Sequence, residues 1–431
     1  MKLTFIGAGY VGLVSAAGFA NKGHECTCID IDGKKVESIN KGIPPIYEKE
    51  LEKLLEELVK KGKLTASSSY DSVKNADVVF ICVGTPSRKD GSIDLSYIEQ
   101  SAEKVGEELK KAEKFVIVAV KSTVVPGTTS GKVAPLLEKH SGKKAGQGFG
   151  IAMIPEFLKE GTALADFEHP DRIVIGVEDG KTGKLLEELH SNFNCELLLV
   201  KLSTAEMIKY ASNSFLATKI SFINQLANLC EKTGVDVDEV AKGMGMDKRI
   251  GSQFLKAGPG FGGSCFPKDV KALMAFSSEN GVEPTLLEAV MEVNYLQPLR
   301  MIEIAEKELT LEKKQVAILG LAFKPETDDV RESPSIRLVE ELERKGCKIS
   351  AYDPKGMGNF KGKFPKINYC DSIESALKGA EACFIVTDWK EFKKPLQFYE
   401  GNMKHPLIID ARRILDPSTA KKAIYRAIGR V

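Results

Sequence analysis

A glycine-rich loop that leads into a single cysteine is the stretch of this sequence best suited to covalent chemistry. It runs from Gly258 to Asp269 as GPGFGGSCFPKD, with four glycines before Cys265. Pro267 suits the first turn of a helix, so the cysteine is predicted at or just before a helix N-terminus. There the helix dipole lowers a thiol pKa from about 8.5 and favours the nucleophilic thiolate. The loop predicts a cysteine nucleophile, with a buried cysteine beside a flexible loop as the alternative.

A second glycine loop, near the start of the chain, has the spacing of a dinucleotide-binding motif. GAGYVG runs from Gly7 to Gly12 between a strand pattern and a helical pattern, and Asp30 ends the next strand pattern. Such glycines let the backbone approach a pyrophosphate at the helix N-terminus, and the acid meets the adenosine ribose. Because a carboxylate repels a ribose phosphate, Asp30 favours NAD over NADP, although Lys35 is close in sequence. A structural tight turn is the alternative.

Other polar residues follow predicted strands or share a helix face. Thr85-Pro86 and the KST segment that ends at Thr123 come after apolar strand patterns. Ligands of doubly wound sheets lie at such carboxyl ends of strands. Lys209 and Asn213 are four residues apart in a helical stretch and so share one face. Ordinary loops and solvated helix faces are the alternatives for these positions.

The elements that must position these residues form three regions, which we place at 1–200, 201–312 and 313–431. The first alternates helical patterns with the β-type runs LTFIG, CTCID, ADVVFICVG, KFVIVAV, GIAMIPEF and DRIVIGV. This alternation predicts a parallel sheet with helices on both faces. In the second region, Ser203 and Glu206 have the spacing of a capping box. No Gly or Pro follows until Gly234, which predicts a helix of about 30 residues.

The third region repeats the opening pattern of the first. QVAILGLAF is similar to KLTFIGAGY, GCKISAYDP to GHECTCIDID, and AEACFIVTDW to ADVVFICVGTP. Its glycine loop is reduced to Gly320, so this domain need not bind a dinucleotide. The predicted fold class is α/β, with two Rossmann-like doubly wound domains joined by a central helical region that contains a long helix.

The net charge, the apolar stretches and the cysteine content of the chain exclude several classes of partner. A net charge of +1 over 431 residues provides no general field for nucleic acid or an anionic membrane. Leu3–Ala20 could be mistaken for a signal peptide, but glycines break the run, and no other stretch is long enough to cross a bilayer. The nine cysteines lack zinc or disulfide spacing. We therefore expect no metal, a reducing compartment and a cytoplasmic protein.

In combination, the motifs resemble those of the UDP-glucose 6-dehydrogenase family, one of the nucleotide-sugar dehydrogenases. GAGYVG, RIGSQFLKAG, GFGGSCFPKD and FKPETDDVRESPS carry the resemblance, which covers essentially the whole chain. It implies two successive NAD-linked oxidations at C6 of UDP-glucose, from alcohol through aldehyde to the acid of UDP-glucuronate. Cys265 would capture the aldehyde as a thiohemiacetal, and a second oxidation would give a thioester that water hydrolyses. Family habit and the long helix together imply a homodimer.

The resemblance also implies roles for matching residues. Lys209, with Asn213 as its polar companion, would stabilise the alkoxide and oxyanion. Thr123 and Asp269 would hold a water that deprotonates the C6 hydroxyl, and Glu156 would help water attack the thioester. Cofactor contacts are expected at Gly7, Gly9, Tyr10, Val11, Gly12, Asp30, Lys35, Thr85, Pro86, Thr123, Glu160, Lys268 and Arg331. Substrate contacts are expected at Glu156, Phe157, Leu158, Lys159, Glu160, Lys209, Asn213, Arg249, Phe254, Leu255, Lys256, Ala257, Gly258, Phe261, Gly262, Phe323, Lys324 and Arg412.

Two positions qualify this assignment. Arg249 and Arg412 would meet the substrate, in part across a dimer interface, and Arg413 is the alternative to Arg412. The family often has Asn before the proline of its PEF segment, whereas this chain has Ile154. That departure alters the loop without removing Glu156.

Three other functions fit parts of the pattern. The GGSC segment is also compatible with GDP-mannose dehydrogenases, and UDP-N-acetylmannosamine enzymes belong to the same group, although RIGSQFLKAG and CFPKD favour UDP-glucose. A non-catalytic dinucleotide-binding protein would require Cys265, Lys209 and Asp269 to be incidental. A simple two-electron dehydrogenase would need no cysteine.

Overall fold

The chain folds into two compact units, and the computed structural model describes residues 1–430. The first unit is Met1–Ser212, and the second begins at Asn213. The division falls inside one long helix, which therefore contributes to both units. Among residues 1–430, no helix combines the length and the apolar character that a membrane span needs. The three-region division, with boundaries near residues 200 and 312, stays a prediction.

The first unit contains an eight-stranded sheet in the order β3-β2-β1-β4-β5-β6-β7-β8. Its strands are β1 (Lys2–Ile6), β2 (Glu25–Ile29), β3 (Leu64–Ser67), β4 (Val78–Ile81), β5 (Ile117–Val120), β6 (Gly150–Met153), β7 (Arg172–Val177) and β8 (Glu196–Val200). The six predicted strands are all present. The sequence patterns do not predict β3, half of whose four residues are polar, or β8, which is largely exposed at the sheet edge.

The helices of the first unit follow the predicted alternation with strands. They are α1 (Tyr10–Asn21), α2 (Gly33–Asn40), α3 (Leu51–Lys60), α4 (Ser96–Lys110), α5 (Ala134–Ser141), α6 (Ala163–Glu168) and α7 (Gly180–His190). The prediction of a parallel sheet is wrong for one pair of strands, because β6 and β7 pair antiparallel. The one helix between them, α6, has six residues and spans about 9 Å, too little to return the chain to the opposite end of the sheet.

Aromatic side chains fill the core between α1 and the sheet. The rings of Phe5 and Phe80 are stacked with centroids 4.9 Å apart, and Phe19 of α1 lies 5.8 Å from Phe80. All three side chains are buried. Burying each contributes about 1.5–3 kcal/mol, which fixes the helix that follows the first glycine loop against β1 and β4.

The predicted long helix is α8 (Leu202–Thr233), with 32 residues. At 1.5 Å per residue it spans about 48 Å. It ends as predicted at Gly234, which has a φ of +73°. The N–H of Val235 donates to the carbonyl of Cys230 at 3.2 Å, and this bond satisfies one of the last helical carbonyls.

The capping box predicted at the start of α8 is wrong. The helix begins at Leu202, so Ser203 is already inside it. The carboxylate of Glu206 instead accepts hydrogen bonds from the N–H groups of Gly127 and Thr129, at 2.6 and 2.7 Å. Glu206 is fully buried and ties α8 to the loop after β5.

The second unit contains a six-stranded parallel sheet in the order β11-β10-β9-β12-β13-β14. Its strands are β9 (Gln315–Leu319), β10 (Lys348–Tyr352), β11 (Asn368–Tyr369), β12 (Ala382–Ile385), β13 (Leu407–Asp410) and β14 (Ile424–Ala427). The first five repeat the order β3-β2-β1-β4-β5 of the first unit. The predicted second Rossmann-like domain is therefore present.

The remaining helices lie in the second unit. They are α9 (Val237–Gly245), α10 (Phe266–Glu279), α11 (Thr285–Leu296), α12 (Leu299–Glu306), α13 (Pro334–Arg344), α14 (Met357–Lys361), α15 (Ile373–Leu377) and α16 (Leu396–Asn402). Single turns of 3-10 or π helix lie at Val73–Asn75, Thr129–Val133, Lys390–Phe392 and Pro417–Thr419.

Candidate active site

The first glycine loop has the geometry of a dinucleotide-binding turn. It follows β1, and α1 begins three residues after Gly7, which has a φ of +96°. A Cβ on Gly12 would lie 1.9 Å from the carbonyl oxygen of Gly7, so only glycine lets α1 approach the turn this closely. Gly9 caps the helix, and a Cβ there would meet no atom within 4 Å. The N-terminus of α1 therefore has room for a pyrophosphate, and its N–H groups supply donors.

Asp30 follows β2 directly and is bound to the glycine loop. Its carboxylate accepts a hydrogen bond from the N–H of Ala8 at 2.9 Å and another from Asp32 at 3.0 Å. The ammonium of Lys35 lies 3.9 Å from the same carboxylate. The acid thus sits where a ribose hydroxyl would bind, and Lys35 offsets part of its charge without removing it.

Tyr10 has a structural partner that the sequence does not indicate. Its hydroxyl donates to the buried carboxylate of Glu48 and accepts a hydrogen bond from the N–H of Gly161 at 2.7 Å. Burial, together with the neighbouring Glu48 carboxylate, raises the pKa of Tyr10 well above its ordinary value. The tyrosine therefore links the start of α1 to the segment after Glu160.

The loops after β4 and β5 meet at the carboxyl edge of the sheet, as predicted. The Thr85 hydroxyl donates to the carbonyl of Thr123 at 3.0 Å, and the Ser122 hydroxyl donates to the carbonyl of Val83 at 2.7 Å. Thr85, Pro86 and Thr123 are thus held together on the side of the sheet where doubly wound folds bind ligands.

Glu156 and Lys209 form a buried ion pair rather than a solvated helix face. Their oxygen and nitrogen atoms are 3.0 Å apart, and the side chains are 8% and 4% exposed. A second carboxylate oxygen of Glu156 accepts the N–H of Leu158 at 2.6 Å. Burial alone would raise the pKa of Glu156, but the Lys209 ammonium, the Leu158 N–H and the nearby Lys121 ammonium outweigh it and lower that pKa. The carboxylate therefore stays ionised and can accept a proton.

A cavity of about 310 Å³ borders the Glu156 loop within the first unit. Its walls include the predicted substrate positions Glu156–Lys159 and the buried Lys121. The ring of Phe157 stacks against the guanidinium of Arg172 at 3.7 Å, and Lys159 pairs with Asp166 at 2.9 Å. The loop therefore presents its polar groups beside a space of small-ligand size.

Asn213 and Asp269 form a second buried polar pair, which lies in the second unit. The Asn213 side-chain amide donates to the Asp269 carboxylate at 2.6 Å, and Asp269 is 1% exposed. Lys268, predicted to contact the cofactor, places its ammonium on the other carboxylate oxygen of Asp269. The amide and ammonium together compensate the buried charge of Asp269.

Cys265 occupies the position that its sequence context predicts. It is the N-cap residue of α10, with Pro267 in the first turn, and its carbonyl accepts the first helical hydrogen bond, from Asp269 N–H at 2.8 Å. The thiol is half-buried. All nine cysteines, each within the described residues, are unbridged. Burial raises the pKa of Cys26 and Cys82 to about 12, so these thiols are unreactive.

Three of the predicted substrate positions of the second unit, Arg412, Phe323 and Gly258, lie together. Arg412 donates from its Nη2 to the carbonyl of Phe323 at 3.2 Å, and a Cβ on Gly258 would lie 3.3 Å from its Nη1. Burial lowers the pKa of Arg412. Arg249 is separate from this group, since its guanidinium is 89% exposed and paired with Asp247.

Arg413 braces the segment that precedes the glycine-rich loop. Its guanidinium donates to the carbonyl of Ala257 at 3.1 Å and to Asp238 at 2.8 Å, and its side chain is 4% exposed. In the same segment Leu255 is buried and Lys256 lies 3.7 Å from Asp388. Arg412 likewise donates to backbone carbonyls, those of Val386 and Phe323, so the choice of Arg412 over Arg413 for a substrate phosphate stays a prediction.

Three more predicted positions have local contacts. A Cβ on Gly262 would lie 2.3 Å from the carbonyl oxygen of Glu332, so the loop needs glycine there. Arg331, predicted to contact the cofactor, pairs with Asp329 at 2.7 Å and is 64% exposed. Lys324 places its ammonium 5.5 Å from the ring centre of Phe323.

A mostly parallel sheet with this glycine turn and an acid after its second strand defines a dinucleotide-binding protein. Models of the UDP-glucose/GDP-mannose dehydrogenase family match nearly the whole chain: the NAD binding domain at residues 1–194, the central domain at 203–295 and the UDP binding domain at 317–417. The chain belongs to the UDP-glucose/GDP-mannose dehydrogenase family. It is an NAD-dependent oxidoreductase.

Several relatives match this chain over nearly its full length. UDP-glucose 6-dehydrogenase YwqF of Bacillus subtilis is 44% identical, with 100% of this chain and 98% of the relative covered. The structure of a UDP-glucose dehydrogenase from Pyrobaculum islandicum matches with a TM-score of 0.92 and 38% identity, covering 100% of this chain and 98% of that one. A UDP-D-ManNAc dehydrogenase from Pyrococcus horikoshii matches with a TM-score of 0.87 and 30% identity, covering 100% and 99%.

Proposed function

We propose that the protein oxidises UDP-glucose twice at C6 to give UDP-glucuronate, with Cys265 as the covalent nucleophile. The observation that carries the proposal is the half-buried Cys265 at the N-cap of α10, in a chain similar over its full length to UDP-glucose 6-dehydrogenases. The open turn at Gly9 and the ribose-side acid Asp30 fit the cofactor. NAD bound at this turn would accept a hydride in each oxidation.

In the first oxidation the C6 hydroxyl must lose a proton while its carbon loses a hydride. We assign the proton transfer to a water, with the roles that the family resemblance implies for Thr123 and for Asp269, whose carboxylate is buried and oriented by Asn213. The Lys209 ammonium, fixed by Glu156, would stabilise the negative oxygen. The product of this step is the C6 aldehyde.

In the second oxidation the Cys265 thiolate attacks the aldehyde carbon and forms a carbon–sulfur bond. The resulting thiohemiacetal is tetrahedral and can lose a hydride, which a free aldehyde does not readily do. Loss of that hydride and of the hydroxyl proton leaves a thioester. Water, deprotonated by the ionised Glu156, then attacks the thioester carbon and breaks the carbon–sulfur bond, which releases the acid and restores the Cys265 thiolate.

Counting the NADH formed for each sugar consumed tests this scheme. Incubation with NAD and UDP-glucose should give two NADH per sugar, whereas a simple two-electron dehydrogenase gives one. A panel with GDP-mannose and UDP-N-acetylmannosamine tests the substrate, and NADH formation with GDP-mannose but not with UDP-glucose would overturn it. The higher identity to the UDP-glucose relatives, 38% in Pyrobaculum islandicum against 30% in Pyrococcus horikoshii, favours UDP-glucose.

Replacing the nucleophile tests the covalent step. Cys265→Ser should abolish complete four-electron turnover, because a hydroxyl at a helix N-terminus is a far weaker nucleophile than a thiolate. Undiminished NADH formation with full yield of the acid would refute the covalent mechanism.

We also propose a cytoplasmic homodimer formed through α8. Phe215, Phe222 and Leu229 recur every seven residues along this helix, and their side chains are 64%, 46% and 57% exposed. Such a spacing places apolar side chains near one helix face, which is typical of a helix–helix contact. Arg249, exposed in its own unit, would contribute to the partner's substrate site. Sedimentation should show a dimer that Phe222→Glu dissociates, and a wild-type monomer would contradict the proposal.

A further inference from the structure

Side-chain amides hold the backbone of the loop that leads to Cys265. The N–H of Gly258 donates to Asn224 Oδ1 at 2.8 Å, and its carbonyl accepts from Gln297 Nε2 at 3.0 Å. Gln297 is oriented in turn by Asn228, whose Nδ2 donates to Gln297 Oε1 at 3.1 Å. Asn224 and Gln297 are buried, at 0% and 1% exposure, so water does not compete for these bonds.

Asn294 holds the middle of the same loop. Its Oδ1 accepts the N–H of Phe261 at 2.7 Å, and its Nδ2 donates to the carbonyl of Phe261 at 3.0 Å. One side chain thereby satisfies both backbone groups of a residue that lies in no strand or helix. Gly260 has a φ of +108°, and a Cβ there would lie 2.8 Å from Asn294 Oδ1. The amide is therefore packed against the loop at a distance that only glycine allows.

The two amides act from one short stretch of chain. Asn294 lies in the last turn of α11, and Gln297 is the residue that caps the helix end. Residues three apart on a helix share one face, so both side chains reach the loop together. Cys265 follows Phe261 by four residues and caps α10. The contacts of Asn294 thus lie four residues before the thiol, in the loop that leads into the helix start.

We propose that Asn294 and Gln297 are positioning residues for the Cys265 nucleophile. They act by holding the backbone of Gly258 and Phe261, and with it the glycine loop, in one conformation. The proposal rests on the proposed covalent role of Cys265. Because misplacing a reacting group by 1 Å costs on the order of a hundredfold in rate, a loosened loop should slow thiohemiacetal formation without abolishing substrate binding.

Asn294→Ala in the full-length protein tests this role, with the UDP-sugar C6 aldehyde and NAD as substrates. We expect kcat to fall at least about tenfold and KM for NAD to change less than about twofold. Alkylation of Cys265 by iodoacetamide, followed by mass spectrometry, should be no slower than in the wild type, since a small reagent needs no fixed geometry. Asn294→Asp retains the acceptor for the Phe261 N–H and should recover part of kcat.

Asn280→Ala is the matched control. The Asn280 amide makes the same type of bond, to the carbonyl of Phe276 at 2.8 Å, but at the opposite, exposed end of α10. The kcat of Asn280→Ala should stay within about twofold of the wild-type value. Should Asn294→Ala fail to fold, Gln297→Met removes the donor to Gly258 at similar volume and is expected to show the same loss of kcat with unimpaired alkylation.

Two outcomes would overturn the positioning role. One is a kcat for Asn294→Ala within about twofold of the wild type. The other is a loss of kcat matched by an equal loss of thiol alkylation and of folded protein, which marks a merely structural contact. Failure of the proposed function is distinguishable, because Cys265→Ser would then still yield the complete acid product whatever the Asn294 variants show.

Discussion

Replacing Lys209 by methionine should leave the Glu156 carboxylate buried without its ion-pair partner. The two groups are 3.0 Å apart and at most 8% exposed, so solvent cannot screen the lost attraction. Removing one member of a buried pair costs about 3–5 kcal/mol. Glu156 keeps the bond from Leu158 N–H and the field of Lys121, which places the expected loss near the lower end, about 3 kcal/mol. For a unit of this size that is a fall of about 6–12 °C in melting temperature.

The pH dependence follows from the sign of the pKa shift. The Glu156 pKa is lowered in the folded protein, so its contribution to stability is present above the unfolded pKa of about 4.3 and is lost as pH falls through the folded value. In Lys209→Met, burial dominates and raises that pKa. The cost of burying the unpaired Glu156 carboxylate, which is present at neutral pH, then decreases as the falling pH protonates the carboxyl group. The stability deficit of the variant relative to wild type should therefore narrow between about pH 7 and pH 4.5.

Differential scanning calorimetry of four proteins measures this effect. Alongside the wild type and Lys209→Met, Glu156→Gln leaves the lysine unpaired, and the double variant removes both charges. The double variant should be more stable than Lys209→Met, because no uncompensated carboxylate remains. A deficit that is constant between pH 7 and 4.5, or a double variant no more stable than Lys209→Met, would show that the pair does not control the charge of Glu156.

Three further predictions concern the cofactor side. Gly12→Ala should displace the first turn of α1, since the Cβ would lie 1.9 Å from Gly7 O, and fluorescence titration should find NAD binding lost; wild-type affinity would contradict the close approach. Tyr10→Phe removes the hydrogen-bond donor to the buried Glu48 carboxylate and should lower the free energy of unfolding by about 1–3 kcal/mol, measured by thermal unfolding. An unchanged melting temperature would contradict this prediction. Asp30→Asn should raise the KM for NAD by about tenfold and reduce the preference for NAD over NADP. Steady-state kinetics in which the KM and the cofactor preference are both unchanged would exclude a contact between Asp30 and the ribose.

The parts of the fold that could be predicted are those in which local pattern and burial agree. Apolar runs such as VVFI of β4 are buried along their whole length, and the six runs predicted as strands in the first unit are all strands. β8, with the equally apolar run LLL, lies exposed at the sheet edge, and neighbouring residues do not encode that placement. The N-cap position of Cys265 was predictable because Pro267 marks the helix start locally.

The buried pairs of the candidate site could not be derived from spacing. Glu156 and Lys209 are 53 residues apart, and their burial depends on how β6 and α8 pack. Charged residues on a helix are usually solvated, so local pattern favours the wrong environment for Lys209. Only the resemblance of whole motifs pointed to these residues. The amides of Asn294 and Gln297 carry no motif of their own, and only the folded loop shows what they hold.

The two Rossmann-like units show why a shared fold does not bring a shared ligand. Gly7 and Gly320 have φ values of +96° and +99°, and each donates its N–H to the last residue of the neighbouring strand. The acid that follows the neighbouring strand makes different hydrogen bonds in the two units. Asp30 accepts one N–H of the glycine loop, and α1 starts immediately after that loop. Asp353 is fully buried and accepts five donors, including two N–H groups of the loop after β9.

That difference removes a dinucleotide site from the second unit. The N–H groups that would meet a pyrophosphate are already bound to Asp353, and the helix that should offer further donors, α13, begins only at Pro334. The Ser335 hydroxyl donates to the carbonyl of Gly320, so this turn is closed from the helix side as well. A single retained glycine therefore preserves the strand–turn geometry. Dinucleotide binding also requires backbone N–H groups that have no acceptor within the protein, at the start of a helix beside the turn.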